Sequence, residues 1–469
     1  MRLPVRALAV AGVAVSSWAA AGCLPAVGPN YKRPEMKPPA QYRFAGQPEA
    51  QSAADAPWWQ IFDDPTLQAL IKEAIANNLD VKIAAARVES ARARAGIPRT
   101  FLYPQVDGVA GYGVRQASDT SGSNDTTHQS GIYGFRLSWE LDLFGRIRRE
   151  SESATAVALA TEQGRRGVLV TLVGDVATEY FMLRELDLQL AISRRTLEVS
   201  DQTVAYFRNR LDGGVSNRLQ VDRVVAFRAT AAASIPDIER QIGVTEDSIS
   251  MLLGRPPGAV TRRPLSPDEP NPPAIPPGLP ASLLERRPDV LEAEQLLVAS
   301  NANIGVAKSM FFPTISLTGF LGGVSGDLTT FLGGDGAVWS LNAGLFQPIF
   351  NAGRNKRNYE AAQADFMGAV AQYQRAALNA YREAADALVS IQKFADVRVE
   401  RTVAVVALRD ASDLARSRFD SGLASYLEIL TADQDLFTQE LLLAQAQGSE
   451  LRARAELYRA LGGGWQPQP

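Results

Sequence analysis

The chain has 469 residues and a formal net charge of −3, with acids and bases interspersed, so nothing indicates a nucleic-acid partner. It contains a single His, His128, and a single Cys, Cys23, which excludes an internal disulfide, a Cys/His zinc site and catalysis by more than one histidine. We therefore expect a protein that is not an enzyme and that has no cofactor, no metal site and no catalytic residues.

The first segment has the pattern of a secretory signal. Arg2 and Arg6 precede an apolar run of about fifteen residues, which is too short to span a membrane. Small residues at 20–22 then precede Cys23, and this arrangement resembles a bacterial lipobox. We predict a signal peptide at 1–22 and acylation of Cys23 at the start of a lipidated segment, 23–65. A plain signal peptide with an incidental Cys is the alternative.

The rest of the chain is internally duplicated. Four pairs of segments match in the same order at an offset of about 208 residues: 80–95 with 289–304, 101–106 with 310–315, 141–149 with 349–357, and 210–221 with 418–429. This pattern predicts a first repeat at 66–253, a Pro-rich linker at 254–281 that connects the repeats without regular structure, a second repeat at 282–461 and a C-terminal tail at 462–469.

Each repeat begins with a helix and then changes to a period-two pattern. Apolar and polar residues alternate in 104–143 and again in 313–350, and a polar or Gly-rich loop interrupts each stretch. Two β-hairpins are predicted. Apolar residues on one face and polar residues on the other suit a transmembrane β-barrel, and a soluble sandwich with one buried face would give the same alternation.

The period then becomes helical. Apolar or small residues recur in steps of three and four from about 144 to 210, and the second copy repeats them. A helix of that length would span about 100 Å, which is typical of coiled coils. Long helix pairs are therefore predicted at 144–253 and 351–461, with return helices at 217–252 and 424–460.

The segments RLDGGVSNRLQV (210–221) and RFDSGLASYLEI (418–429) lie where each long helix must reverse. Gly214 and Gly422 can adopt a positive φ at little cost and so end a helix. Ser216 and Ser425 are the predicted N-caps of the return helices. The motif occurs twice because each copy has one reversal.

Four strands are too few to close a barrel, and an open sheet in lipid would leave unpaired backbone groups at its edges. The chain must therefore oligomerise, with eight strands from two copies or twelve from three. A lipid anchor, a barrel and long helices together indicate a conduit across a membrane and the compartment beneath it.

At this level the sequence resembles the TolC-like outer membrane factors, in the lipoprotein branch related to OprM and NodT. The segments that carry the resemblance are GPNYKRP (28–34), WWQIFDDPTLQALIKEAIANNLD (58–80), SWELDLFGRIRR (138–149), LLERRPDVLEAEQLLVASNANIGVAKSMFFPTISLTG (283–319) and RFDSGLASYLEIL (418–430). The resemblance implies a mixed α and transmembrane β fold, in which a homotrimer forms a 12-strand outer-membrane β-barrel continuous with a 12-helix periplasmic coiled-coil tunnel.

The same resemblance implies the partners and the location. The protein would be the exit duct of a tripartite efflux system, joined through a periplasmic adaptor (membrane fusion) protein to an inner-membrane transporter of the resistance-nodulation-division type. It would be anchored by lipid in the bacterial outer membrane, in line with Leu24, rather than Asp, after Cys23.

The family's docking motif falls on the two helix reversals. The residues matched are Arg210, Leu211, Asp212, Gly213, Gly214, Val215, Ser216, Arg418, Phe419, Asp420, Ser421, Gly422, Leu423 and Ser425. Candidates for the periplasmic aperture are Glu428, Thr431 and Asp433, and Thr431 stands where the family pattern has a second acidic residue. Two other functions remain open: the exit duct of a type I protein-secretion system and a non-conducting structural lipoprotein of the envelope.

Overall fold

The computed structural model describes residues 25–42, 59, 62–117, 126–266, 280–326 and 336–463. The helices are α1 (Pro65–Asn77), α2 (Leu79–Thr100), α3 (Arg146–Asp212), α4 (Arg218–Leu252), α5 (Leu283–Arg286), α6 (Pro288–Ser309), α7 (Arg354–Asp420) and α8 (Tyr426–Ala460). The strands are β1 (Gln105–Ala117), β2 (Thr126–Leu141), β3 (Thr314–Ser325) and β4 (Ala337–Phe346).

Two compact units are present, and each draws on both halves of the sequence. The first takes its described residues from the ranges 1–35, 87–162 and 292–374, and the second takes them from 36–86, 163–291 and 375–469. The sequence repeats and the compact units are therefore different divisions of the chain. The repeat boundaries therefore remain a prediction made from the sequence.

The first unit contains one antiparallel sheet of four strands in the order β1-β2-β3-β4. The two predicted hairpins are confirmed, and a third pairing joins them, because β2 pairs with β3 from Gly131↔Ser325 to Leu141↔Ile315. Strands β1 and β4 are the outer strands, and every residue of β4 is exposed. Within the described chain, the outer edges of β1 and β4 therefore present unpaired backbone N–H and C=O groups.

The long helices have the same lengths in the two halves of the chain. Helices α3 and α7 have 67 residues each, and α4 and α8 have 35 residues each. The predicted helix at 144–210 is confirmed within two residues at either end. No helix in the described part of the chain is both long enough and apolar enough to cross a membrane.

The second unit is held by two apolar cores between helices. In the first core, Leu67 and Ile71 of α1 pack with Tyr180 of α3 and Tyr458 of α8, and none of these four side chains has measurable exposure. A fully buried Leu or Ile contributes about 1.5–3 kcal/mol relative to an exposed one. The second core contains Phe207 of α3 and residues of α4, α7 and α8.

The beginning of the Pro-rich linker is more ordered than the sequence predicts. Residues 254–266 have no regular secondary structure, as expected, but they pack against the helices. The Arg262 guanidinium binds both Asp187 carboxylate oxygens, at 2.6 and 2.8 Å, and also contacts the Glu246 carboxylate. A 3-10 turn covers Pro280–Ser282 at the end of the predicted linker.

Candidate functional site

The first helix reversal follows α3 and contains a Schellman motif, a set of two hydrogen bonds that closes a helix. The Gly214 N–H donates to the Leu211 carbonyl at 2.9 Å, and the Val215 N–H donates to the Arg210 carbonyl at 2.9 Å. Gly214 has φ +75°, a left-handed conformation that favours glycine. The predicted positive φ at this position is confirmed.

The second reversal follows α7 and has the same geometry. The Gly422 N–H donates to the Phe419 carbonyl at 2.9 Å, and the Leu423 N–H donates to the Arg418 carbonyl at 2.8 Å. Gly422 also has φ +75°. The repeated motif therefore encodes the same helix ending twice, which accounts for its glycine.

The return helices begin differently from each other. Ser425 is the N-cap of α8 as predicted, and its backbone N–H donates to the Glu428 carboxylate at 3.3 Å. The prediction for Ser216 was wrong, because Asn217 is the N-cap of α4 and its side chain accepts from the Gln220 N–H at 3.0 Å. Ser216 lies one position too early, and its hydroxyl donates to the Gln220 side chain at 2.7 Å.

An aromatic cluster lies beneath the two reversals. The ring centroid of Phe207 is 4.0 Å from that of Tyr426 and 6.3 Å from that of Phe419. The Arg210 guanidinium lies 5.5 Å from the Tyr206 ring centroid and 5.9 Å from that of Phe419, and it donates to the Tyr206 hydroxyl at 2.9 Å. Burial raises the pKa of Tyr426.

Some of the predicted docking residues face this cluster. Leu211 and Phe419 are partly buried against the apolar core of the second unit. Ten other predicted docking residues are exposed: Asp212, Gly213, Gly214, Val215, Arg418, Asp420, Ser421, Gly422, Leu423 and Ser425. The sequence repeat alone does not show which of these residues face the apolar core and which face solvent.

Four exposed apolar side chains surround the reversals. In a Schellman motif the apolar residue after the glycine often packs back on the helix, but here Val215 is 65% exposed and Leu423 is 73% exposed. On the return helices, Leu219 is 60% exposed and Leu427 is 50% exposed. The site prediction omitted these two leucines, although they recur in phase in the repeated motif.

The aperture candidates are engaged within the chain or lack a charge. The Glu428 carboxylate accepts from the backbone at the start of its own helix, as described above. Asp433 accepts from the Ser412 hydroxyl at 2.5 Å and forms an ion pair with Arg416 at 2.8 Å. Thr431 is exposed.

The structure also bears on metal ligands and on the acylation site. Among the described residues, no three His, Cys, Asp or Glu side chains gather into a group that could hold a metal ion. Cys23, the predicted acylation site, lies outside the described residues.

Comparisons with known proteins cover nearly the whole chain. The sequence profile of the family described as "Outer membrane efflux protein" matches residues 70–255 and 279–463. The cation efflux system protein CusC of Escherichia coli O6:H1 is 33% identical over 449 residues, which are 95% of this chain and 96% of CusC. The solvent efflux pump outer membrane protein SrpC of Pseudomonas putida is 35% identical over 447 residues, 93% of this chain and 95% of SrpC.

Solved structures show the same fold. The outer-membrane channel OprN superposes with a TM-score of 0.87 at 31% identity, over 94% of this chain and all of that one. A structure of CusC gives a TM-score of 0.85 at 32% identity, over 94% of this chain and all of the solved chain. The chain therefore belongs to the outer membrane efflux protein family.

Proposed function

We propose that this chain is the outer-membrane exit duct of a tripartite efflux system. It passes substrates from an inner-membrane transporter of the resistance-nodulation-division type, through a periplasmic adaptor protein, to the cell exterior. Family membership and the efflux and channel names of its relatives support the duct. The observation that carries the proposal is the open four-stranded sheet, in which the outer edges of β1 and β4 are unpaired within the described chain.

A homotrimer gives that sheet a closed form. Hydrocarbon does not tolerate unpaired backbone groups, so β4 of one subunit would pair with β1 of the next. Three subunits then supply a barrel of twelve strands, and α3, α4, α7 and α8 supply a tunnel of twelve helices. Acylation of Cys23 would add an anchor in the lipid of the outer membrane.

The two helix reversals are the proposed docking surface for the adaptor. Val215, Leu219, Leu423 and Leu427 form the reversal patch, and their exposure shows that the fold of one chain does not bury them. An apolar side chain of this size contributes about 1.5–3 kcal/mol when a partner buries it. The duplicated sequence would present the same patch twice in each subunit.

Similarity to efflux ducts does not identify the substrate that is exported. CusC is named for cation efflux and SrpC for solvent efflux, although both are about equally similar to this chain. The transporter and the adaptor select the substrate in this proposal, and the duct conducts what they deliver.

The docking surface can be tested with Leu423→Asp and Leu219→Asp. Each replacement puts a charge into the reversal patch, and we expect the adaptor to bind at least about tenfold more weakly, which is about 1.4 kcal/mol. Binding would be measured by surface plasmon resonance with the periplasmic adaptors of the same cell, tested one at a time.

Met251→Asp is the matched control. Met251 is 76% exposed but lies near the opposite end of α4 from the reversal. Its replacement should leave adaptor binding unchanged. Normal binding by both patch variants would show that the reversals are helix turns only.

A further inference from the structure

The segment 26–33 near the start of the chain has no role in the proposed duct. We call it the N-terminal clasp. It has no regular secondary structure, yet it is bound along its length by two elements of the first unit, the N-terminal end of α3 and the helix α6. The family resemblance singled out most of this segment without assigning it a function.

Phe144 and the N-terminal end of α3, which begins two residues later, bind the first half of the clasp. The Val27 N–H donates to the Phe144 carbonyl at 3.0 Å. The Arg149 guanidinium donates to the Val27 carbonyl at 3.3 Å, to the Asn30 side-chain oxygen at 2.8 Å and to the Gly28 carbonyl at 3.5 Å. Arg149 is only 4% exposed.

Helix α6 binds the second half. The Asn301 amide donates to the Pro29 carbonyl at 3.0 Å. The Glu294 carboxylate accepts from the Tyr31 hydroxyl at 3.1 Å and from Nε of Arg33 at 2.7 Å, and its second oxygen forms an ion pair with the same guanidinium. Glu294 is 8% exposed, so this is a two-point contact to a buried carboxylate, the stronger kind of charge-assisted hydrogen bond.

The surface of α6 allows the backbone of the clasp to approach closely. A Cβ atom on Gly305 of α6 would lie 2.8 Å from the Val27 carbonyl oxygen and 2.8 Å from Cγ of Arg149. Both distances are shorter than a real Cβ contact allows. Glycine at this position therefore makes room for the clasp.

The second repeat provides an internal comparison. Arg149 pairs with Glu152 at 2.7 Å, and the matching residues Arg357 and Glu360 pair at 2.8 Å with the same spacing. The Arg149 side chain is 5% exposed, whereas that of Arg357 is 79% exposed. The ion pair is therefore common to both repeats, and the buried arginine occurs where the clasp binds.

We propose that α3 and α6 form a binding site for the clasp, which joins the first half of the chain to the second and holds the start of the mature protein in place. Cys23 precedes Val27 by four residues, a reach of at most about 14 Å. A bound clasp therefore limits how far an acylated Cys23 can lie from Val27. This consequence, but not the binding site, rests on the proposed acylation.

Trypsin cleavage of the full-length protein in detergent tests the proposal. Lys32 is exposed, and cleavage after it requires the clasp to dissociate locally from α3 and α6. We expect Arg33→Ala and Glu294→Gln to accelerate cleavage at this bond at least about tenfold. Arg149→Ala should do the same, and its matched control Arg357→Ala should not.

A charge reversal keeps the test decisive. Arg33→Glu with Glu294→Arg should be cleaved more slowly than Arg33→Glu alone, which has the same scissile bond, and a loss of folding would not give this difference. Arg33 is 42% exposed in its side chain, so Arg33→Ala is the variant least able to disturb the fold. Cleavage at the wild-type rate in Arg33→Ala and Glu294→Gln would overturn the proposal. The readout requires neither conductance nor an adaptor, so its failure is distinguishable from failure of the duct.

Discussion

Arg210 and Arg418 occupy the same position of the repeated motif but have different surroundings. Arg210 lies over the rings of Tyr206 and Phe419 and is half-buried. Arg418 is exposed, and its guanidinium donates to the Leu423 carbonyl of its own reversal at 3.5 Å. The motif alone suggests one docking role for both arginines, whereas the structure gives Arg210 a contact that stabilises the fold.

We therefore expect Arg210→Ala and Arg418→Ala to differ in stability. Loss of a cation–π contact at a partly exposed site costs about 0.5–1 kcal/mol, so Arg210→Ala should lower the thermal midpoint. Arg418→Ala should leave the midpoint unchanged. Thermal unfolding in detergent, followed by circular dichroism, measures both variants. Equal midpoints for the two variants would show that the aromatic contact of Arg210 has no net effect.

The start of the linker is bound to two helices through one side chain. Arg262 connects the linker to α3 through Asp187 and to α4 through Glu246. All three side chains are at least three-quarters buried. The Val260 N–H also donates to Glu246, at 3.2 Å, so the backbone and the guanidinium share one carboxylate.

Arg262→Ala should release residues 254–266 from the helices. Removing one member of a largely buried ion-pair group leaves charges without a partner, and a full loss of this kind costs about 3–5 kcal/mol. We expect faster proteolysis within the linker while the helices stay folded. Arg263→Ala is the control, because the Arg263 side chain is exposed and the contacts of this residue are made by its backbone N–H and carbonyl. An unchanged proteolysis rate for Arg262→Ala would contradict the assigned role.

Helix α3 carries three acidic residues whose pKa values are raised, chiefly by burial: Asp175, Glu179 and Glu185. Raised pKa values mean that the folded state binds protons more tightly than the unfolded state. Their contribution to stability is fully present below the unfolded pKa of about 4.3 for a glutamate, and it is lost as the pH rises through the folded value. At neutral pH these carboxylates therefore oppose folding.

Glu179→Gln should stabilise the protein at pH 7 and have little effect at pH 4. The amide removes a charge that is disfavoured by burial and by the neighbouring Asp175 carboxylate. The difference in thermal midpoint between the variant and the wild type, measured at both pH values, checks this expectation. Glu179→Asp keeps the charge and should show no such gain, and an equal gain at both pH values would rule out protonation as the cause.

At the scale of the whole molecule, the proposal that other copies of the chain complete the sheet makes a prediction about its oligomeric state. All ten residues of β4 are exposed, and within the described chain the outer edges of β1 and β4 are not paired with another strand. We expect a trimer in detergent, with about three times the subunit mass by light scattering. The same particles should conduct ions in a planar bilayer. A stable monomer or dimer would remove the basis for the shared barrel, and a trimer without conductance would support a structural envelope lipoprotein.

The sequence by itself determined the elements and the motif of the two reversals. Alternating residues gave the strands, steps of three and four gave the 67-residue helices, and glycine at positions 214 and 422 gave the helix ends. Each of these depends on residues within a few positions of one another, because local backbone geometry sets the period and only glycine adopts a positive φ at little cost.

Only the tertiary structure decided which of these residues meet. The pairing of β2 with β3, the binding of Arg262 to Asp187, the contact of Arg210 with Phe419 and the clasp on Glu294 all join residues far apart in the chain. Local spacing carries no information about such partners. Burial and charge pairing selected them when the chain folded, and for this reason two arginines in the same repeated motif acquired different surroundings.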